Sequence, residues 1–177
     1  MIGAPGMSRA LVAAGLVALG ACKADDLTAR DHAADYLGPA SRRWIFVPQG
    51  DPTASPLQIE ATEGSWEVRV GERWRDAAPL ARWDVTVDPD LTVDGERLVP
   101  EVIEVGAASE GVAVTAVGER EVWYGTFDRA VTVEIDDGPF AGEHAFARGY
   151  GPILLTWDRA RSGLTAEVWE LGGYEDP

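Results

Sequence analysis

The chain has 177 residues, a formal net charge of -15 at pH 7 and a single cysteine. One cysteine excludes an intramolecular disulfide, and the large negative charge repels phosphate backbones, so no nucleic-acid partner is predicted. A chain of this length is expected to bury the core of one domain.

The first predicted element is an apolar segment, residues 10–21, which follows the positive charge of Arg9. It has the length of the apolar region of an export signal and is too short to cross a membrane as a helix. The segment ends in Leu19-Gly20-Ala21-Cys22, where a branched apolar residue and two small residues precede the cysteine.

This ending resembles the lipobox of bacterial lipoproteins. The resemblance implies that residues 1–21 are a signal peptide that is removed, and that the mature chain is attached to a membrane through a lipidated Cys22. Lys23 is not the aspartate that retains such proteins in the inner membrane, so the resemblance implies the outer membrane, at its periplasmic face or at the cell surface. The alternative is a plain secretory signal in which Cys22 has no role. Met1 and Met7 are alternative starts.

Residues 22–40 are polar and rich in alanine and aspartate, and we interpret them as a tether with one or two helical turns near residues 27–37. From Arg42 onward apolar residues alternate with polar ones, which predicts β-strands. Pro100, inside one of these strands, indicates an edge or a bulge. The predicted strands are Arg42–Pro48, Leu57–Ala61, Ser65–Val70, Leu80–Val87, Leu98–Val105, Val112–Val117, Glu121–Phe127, Ala130–Ile135, His144–Ala147, Ile153–Trp157 and Thr165–Leu171.

Turn signals rich in glycine and aspartate separate these strands, among them Asp94-Gly95, Gly118-Glu119 and Asp137-Gly138. Short strands at regular spacing with such turns favour an all-β fold. We therefore predict a single antiparallel sandwich or open barrel over residues 41–177.

Two stretches within this domain are similar to a group of exported, β-rich envelope lipoproteins of unassigned function. One is Asp35–Leu37 followed by the Trp44-Ile45-Phe46 strand, and the other is the Phe146–Leu154 segment followed by Glu170-Leu171. The resemblance implies an antiparallel β domain on a lipid anchor and implies no activity. Gly149 and Gly151 are expected to supply a bend or positive φ angles between two strands.

A cluster of acidic residues is the candidate metal site: Asp88, Asp90, Asp94 and Glu96. Calcium prefers several oxygen ligands from one loop. In this segment, however, Thr92 and Val93 occupy the positions at which an EF-type loop has its third aspartate and its glycine. We therefore interpret the segment as a hairpin with an Asp-Gly turn, and predict neither a metal nor a cofactor.

Candidate catalytic residues are few. His32 and His144 are the two histidines, no zinc-binding spacing is present and no G-x-S-x-G motif occurs. We predict a non-enzymatic protein; an enzyme would require His144 to meet a carboxylate and a nucleophile in one cleft.

Seven tryptophans are many for this length, and most fall in predicted strands, where they are expected to fill the core. The alternative is an aromatic-lined cavity for a lipid, glycan or peptide. Trp74, between Arg73 and Arg75, is the candidate exposed contact. Trp123-Tyr124 would place one aromatic ring on each face of the sheet.

Three functions follow from these features. The first is a membrane-anchored envelope lipoprotein that acts as a structural or protein-interaction module, which a filled core would favour. The second is a carrier of a small apolar ligand or acyl chain, which an apolar cavity would favour. The third, the least favoured, is an enzyme.

Overall fold

The computed structural model describes residues 31–50, 54–158 and 168–176. A short 3₁₀ helix, Ala33–Tyr36, precedes twelve strands that form one antiparallel sheet, which confirms the predicted all-β fold. The strands are β1 (Arg43–Pro48), β2 (Leu57–Thr62), β3 (Ser65–Val70), β4 (Ala78–Val87), β5 (Leu91–Val93), β6 (Glu96–Val99), β7 (Ala108–Ser109), β8 (Val112–Val122), β9 (Gly125–Ile135), β10 (Gly142–Ala147), β11 (Gly151–Thr156) and β12 (Val168–Glu175).

The sheet is a meander in which the last strand returns to the first. Its order is β6-β5-β4-β3-β2-β1-β12-β11-β10-β9-β8-β7, so β6 and β7, neighbours in the chain, are its two edges. These edges do not form a backbone ladder, and the sheet stays open. The Arg97 side chain on β6 bridges them, because it donates hydrogen bonds to Ser109 Oγ at 2.9 Å and to Glu110 Oε2 at 3.2 Å. We call this contact the seam.

The core contains most of the tryptophans, as predicted. Trp44 packs edge-on against Trp66 with ring centroids 5.5 Å apart, and Trp83 packs against Trp157 at 4.7 Å. Each large apolar side chain buried in this way contributes roughly 1.5–3 kcal/mol. The buried tryptophans are Trp44, Trp66, Trp83, Trp157 and Trp169.

The N-terminal segment, residues 31–40, packs onto the sheet, so the predicted tether of residues 22–40 is wrong over these residues. Ala33 and Tyr36 are fully buried in the core. The Tyr36 hydroxyl donates to Asp31 Oδ2 at 3.0 Å, and Asp31 also accepts from Arg148 at 2.8 Å. These residues therefore belong to the folded domain, whereas Cys22 and the rest of the expected tether lie outside the described residues.

The predicted strand Leu98–Val105 is wrong in its second half. Strand β6 ends at Val99, because Pro100 has no N–H with which to continue a ladder. Beyond it, Val102 and Val105 are exposed in a loop, 50% and 65% respectively.

Two long strands replace the three predicted over residues 112–135. The expected turn at Gly118-Glu119 is instead a bulge: Gly118 has a φ of 137°, and the β8–β9 register shifts between Gly118 and Arg120. The chain turns at Trp123-Tyr124, in the middle of a predicted strand. A bulge accommodates Gly118 without ending the strand, which explains why the predicted turn at Gly118-Glu119 is wrong.

Two turn predictions are confirmed. Asp94 and Gly95, with φ angles of 50° and 80°, form the tight β5–β6 turn. Gly149 and Gly151 have φ angles of 73° and 94° in the β10–β11 hairpin. The final predicted strand starts at Thr165, outside the described residues, and β12 continues to Glu175, beyond its predicted end.

Candidate functional site

The loop that carries Trp74 connects β3 to β4. Gly71 has a φ of 148° at the start of the loop, and a Cβ there would lie 2.9 Å from Ala77 Cα. The Ala77 N–H donates to the Arg73 carbonyl at 2.8 Å, and Gln58 Nε2 donates to the Gly71 carbonyl at 2.5 Å. These hydrogen bonds therefore hold the loop in a compact turn and attach it to β2.

Trp74 is half-buried and held between two arginines of the sheet. The guanidinium carbons of Arg43 and Arg69 each lie 4.6 Å from its ring centroid. Arg43 is fixed in turn by Glu60 at 2.6 Å and by Glu175 at 2.7 Å. Cation–π contacts on a restrained arginine give the indole a defined position on the outer surface.

A pocket of about 440 Å³ opens beside Trp74. Arg73 and Arg75 at its rim are exposed, and neither forms an ion pair with another described residue. Such arginines can donate paired hydrogen bonds to a carboxylate, and the indole offers a rigid apolar surface. The lining consists of Arg43, Ile45, Gln58, Glu72, Arg73, Trp74, Arg75, Asp76 and Glu175.

The acidic cluster does not form a metal site in the structure. Asp90 Oδ2 accepts from Arg97 Nε at 2.5 Å, and Asp90 Oδ1 accepts from the Glu101 N–H at 2.7 Å. Asp94 Oδ1 accepts from the Asp84 N–H at 2.7 Å. In residues 31–50, 54–158 and 168–176, no three potential metal-binding side chains come together, and this includes Asp88 and Glu96. Asp90 and Asp94 therefore bond within the fold.

His144 is buried among aromatic rings and does not face a cleft. Its Nε2 donates to the Phe140 carbonyl at 2.6 Å, and its Nδ1 accepts from the Thr156 N–H at 3.5 Å. Burial lowers the pKa of His144 to about 4, so the ring is neutral near pH 7. Both ring nitrogens of His144 bond within the fold. The described residues do not bring His144 together with a carboxylate and a nucleophile in one cleft.

The sequence analysis did not predict a group of aromatic side chains at the surface, which we call the aromatic face: the exposed Trp123, Tyr124 and Tyr150, and the half-buried Tyr174. Trp123, at the tip of the β8–β9 hairpin, is 75% exposed, and Tyr124 beside it is 48% exposed. The Tyr174 ring lies 5.4 Å from Tyr124 and 5.9 Å from Tyr150. Both rings of the predicted Trp123-Tyr124 pair therefore lie outside the core.

Arg42 contacts two tyrosines of the aromatic face. Its guanidinium carbon lies 4.4 Å from the Tyr174 centroid and 5.3 Å from that of Tyr150. The same guanidinium binds both carboxylate oxygens of Asp176, at 2.6 and 2.9 Å, and holds the pKa of Asp176 below its usual value. A hydrogen bond with Tyr124 raises the pKa of Tyr174.

Comparison with protein families, with curated proteins and with solved structures finds no match to this chain. Within the part of the chain that the structure describes, no helix is long and apolar enough to cross a membrane. Function is therefore inferred from the surfaces themselves.

The sequence predicts Trp74 as an exposed contact, whereas the structure places it half-buried, and the sequence gives no comparable prediction of the aromatic face. Trp74 lies between two arginines in the sequence, so its polar setting is visible locally. The aromatic face joins residues of the β8–β9 turn, the β10–β11 turn and β12, which only the sheet order brings together. The available signal was Trp123-Tyr124 immediately before Gly125, a pattern that also suits a turn.

Proposed function

We propose that the protein is an envelope lipoprotein, anchored in the outer membrane through Cys22, whose β domain is a non-enzymatic protein-interaction module. The observation that carries the interaction role is Trp74, restrained between Arg43 and Arg69 beside an open pocket. Tryptophan and arginine dominate the binding energy of protein interfaces, and a side chain already fixed loses little entropy on binding.

The packed interior supports an interaction module more than it supports a carrier of an apolar ligand. Trp44, Trp66 and Trp169 are at most 1% exposed and pack within the sheet. The pocket beside Trp74 is open to solvent and lined largely by charged side chains, unlike the apolar pockets that suit acyl chains.

The anchor is tested by the intact mass of the protein purified from its native membrane. We expect a chain that begins at Cys22 and carries diacylglycerol and an acyl group. The Cys22→Ala variant should lack this mass. An unlipidated native chain that begins at another residue would contradict the proposed anchor.

The interaction role is tested by a photo-crosslinking phenylalanine analogue in place of Trp74 in the full chain. Irradiation of the native envelope should give one defined protein adduct, which the double substitution Arg73→Ala and Arg75→Ala reduces. The analogue in place of Val117, 42% exposed on β8, is the matched control. The same adducts from both positions, or none from position 74, would contradict a contact at this pocket.

A further inference from the structure

We propose that the aromatic face docks on the headgroup interface of the bilayer that holds the anchor, with Trp123 as the side chain that enters it. This inference rests on the proposed function, because the lipid on Cys22 brings the domain to the membrane. It assigns a binding surface separate from the Trp74 pocket.

The chemistry of the face fits a phospholipid interface. Trp123 is 75% exposed at a hairpin tip, and Tyr124, next to it in the chain, is 48% exposed. Tyr150, 38% exposed, and Tyr124 both contact the Tyr174 ring. Tryptophan and tyrosine concentrate at membrane interfaces because one end of each ring system is apolar and the other is polar. Exposed aromatic rings gathered on one rigid surface mark a place where water is excluded on binding.

The chain enters the domain beside this face. Asp31, the first described residue, forms an ion pair with Arg148 at 2.8 Å, and Arg148 is two residues before Tyr150. The Gly149 N–H also donates to the Asp35 carbonyl at 2.7 Å, which fixes the hairpin to the N-terminal segment. The aromatic face and the point of entry are therefore on the same end of the molecule.

The length of chain before Asp31 keeps this end close to the anchor. Asp31 follows Cys22 by nine positions, and nine residues span at most ~30 Å. A surface held at this distance has a high effective concentration at the membrane, so a weak contact is sufficient for docking.

The charge around the face selects neutral headgroups. Glu170 accepts from the backbone N–H of Trp123 at 3.3 Å, and Glu121 and Asp128 are exposed on the same hairpin. The arginines near the face, Arg42 and Arg129, are paired with Asp176 and Asp31. The chain as a whole is acidic, with a net charge of -15. Anionic lipids would be repelled, so the partner is a zwitterionic phospholipid surface such as phosphatidylcholine.

The test measures tryptophan fluorescence of the full chain anchored in phosphatidylcholine vesicles whose acyl chains carry bromine. Bromine quenches indoles that reach the bilayer, and the five core tryptophans are shielded from it. We expect quenching that Trp123→Phe abolishes and that Trp74→Phe leaves unchanged. Vesicles rich in phosphatidylglycerol should quench less. No quenching, or equal loss in the two variants, would overturn the proposal.

The native mass measurement separates this inference from the proposed function. If the native chain carries lipid, the reconstituted protein is used directly. If it does not, the proposed anchor is wrong, but Cys22 is the only cysteine and couples the same chain to a maleimide phospholipid. Quenching by the coupled chain that depends on Trp123 would then support docking, and its absence would overturn docking as well.

Discussion

Trp44 occupies a slot that its neighbours leave open for it. Its Nε1 donates to the Tyr150 carbonyl at 2.7 Å. A Cβ on Gly151 would lie 2.6 Å from Trp44 Cζ2, and one on Gly38 would lie 2.7 Å from the same atom. The indole thus joins the N-terminal segment to the β10–β11 hairpin, and glycine is required on both sides of it.

Gly151→Ala is therefore expected to destabilise the protein more than Gly149→Ala. Both residues have positive φ, which alone penalises alanine by about 1–2 kcal/mol. The Gly151 Cβ also meets Trp44, whereas a Cβ on Gly149 meets nothing within 4 Å. Urea unfolding should show an additional loss of about 1–3 kcal/mol for Gly151→Ala. Equal losses in the two variants would show that the slot can relax.

The burial of His144 predicts a pH-dependent stability. Its pKa falls from 6.5 to about 4 on folding, so between these values the unfolded chain binds a proton that the folded protein does not. This difference in protonation has no effect on the free energy of unfolding above pH 6.5. It lowers that free energy as the pH falls from 6.5 toward 4, by about 3 kcal/mol in total.

We expect the free energy of unfolding of the protein to fall relative to that of His144→Gln between pH 7 and pH 4. Glutamine keeps hydrogen-bonding capacity at this position but does not titrate, and the carboxylates titrate in both proteins. Urea unfolding at a series of pH values measures the difference. Two parallel curves would show that His144 is not the titrating group.

At the scale of elements, the Arg97 side chain bridges the seam between β6 and β7. Arg97 binds Asp90 at 2.5 Å within the hairpin and reaches Ser109 and Glu110 across the seam. Asp90 and Arg97 are only 15% and 20% exposed, so their pairing is partly shielded from water. Asp90, one of the candidate metal ligands, therefore orients the arginine that bridges the sheet edges.

Arg97→Met should loosen this seam. It leaves Asp90 without its charged partner, for which we expect a loss of about 1–3 kcal/mol. Amide hydrogen exchange should increase in β6 and β7. The control is Arg120→Met, whose pair with Glu143 is more exposed, 30% and 45%, and contributes at most ~1 kcal/mol. Unchanged exchange at the edges would show that other contacts hold the seam.

At the scale of the whole molecule, the N-terminal segment packs against β9 and the β10–β11 hairpin. Tyr36 is fully buried, and Asp31 lies within 3.2 Å of Arg129 and 2.8 Å of Arg148. The last strand reaches the same region, since Arg42 binds Asp176. The folded unit therefore starts before the predicted domain boundary at residue 41.

Truncation measures this contribution. A chain that starts at Gly38 loses the buried ring of Tyr36 and the ion pairs of Asp31. We expect it to be less stable than a chain that starts at Asp31 by about 3 kcal/mol or more. Thermal unfolding of the two chains gives the comparison. Equal midpoints would mean that residues 31–37 behave as the tether that the sequence suggested.

The sequence by itself determined the class of fold, the position of most strands and the buried tryptophans. These features depend on period-two alternation and on local turn chemistry, as at Asp94-Gly95, which short stretches of chain encode. It also singled out Trp74 because of the arginines beside it in the chain, but Trp74 is half-buried between Arg43 and Arg69 and its role as a contact stays a prediction. The turn that it predicted at Gly118 is wrong, because a bulge and a turn have the same local signal.

Only the tertiary structure decided which distant residues meet. The pairing of β12 with β1 brings Tyr174 and Asp176 to Arg42 and so assembles the aromatic face. Arg42 and Asp176 are 134 residues apart in the chain. Such pairings depend on long-range packing and on sheet order, which no local period specifies. The same packing buried Tyr36, whose polar neighbours in the sequence suggested a tether.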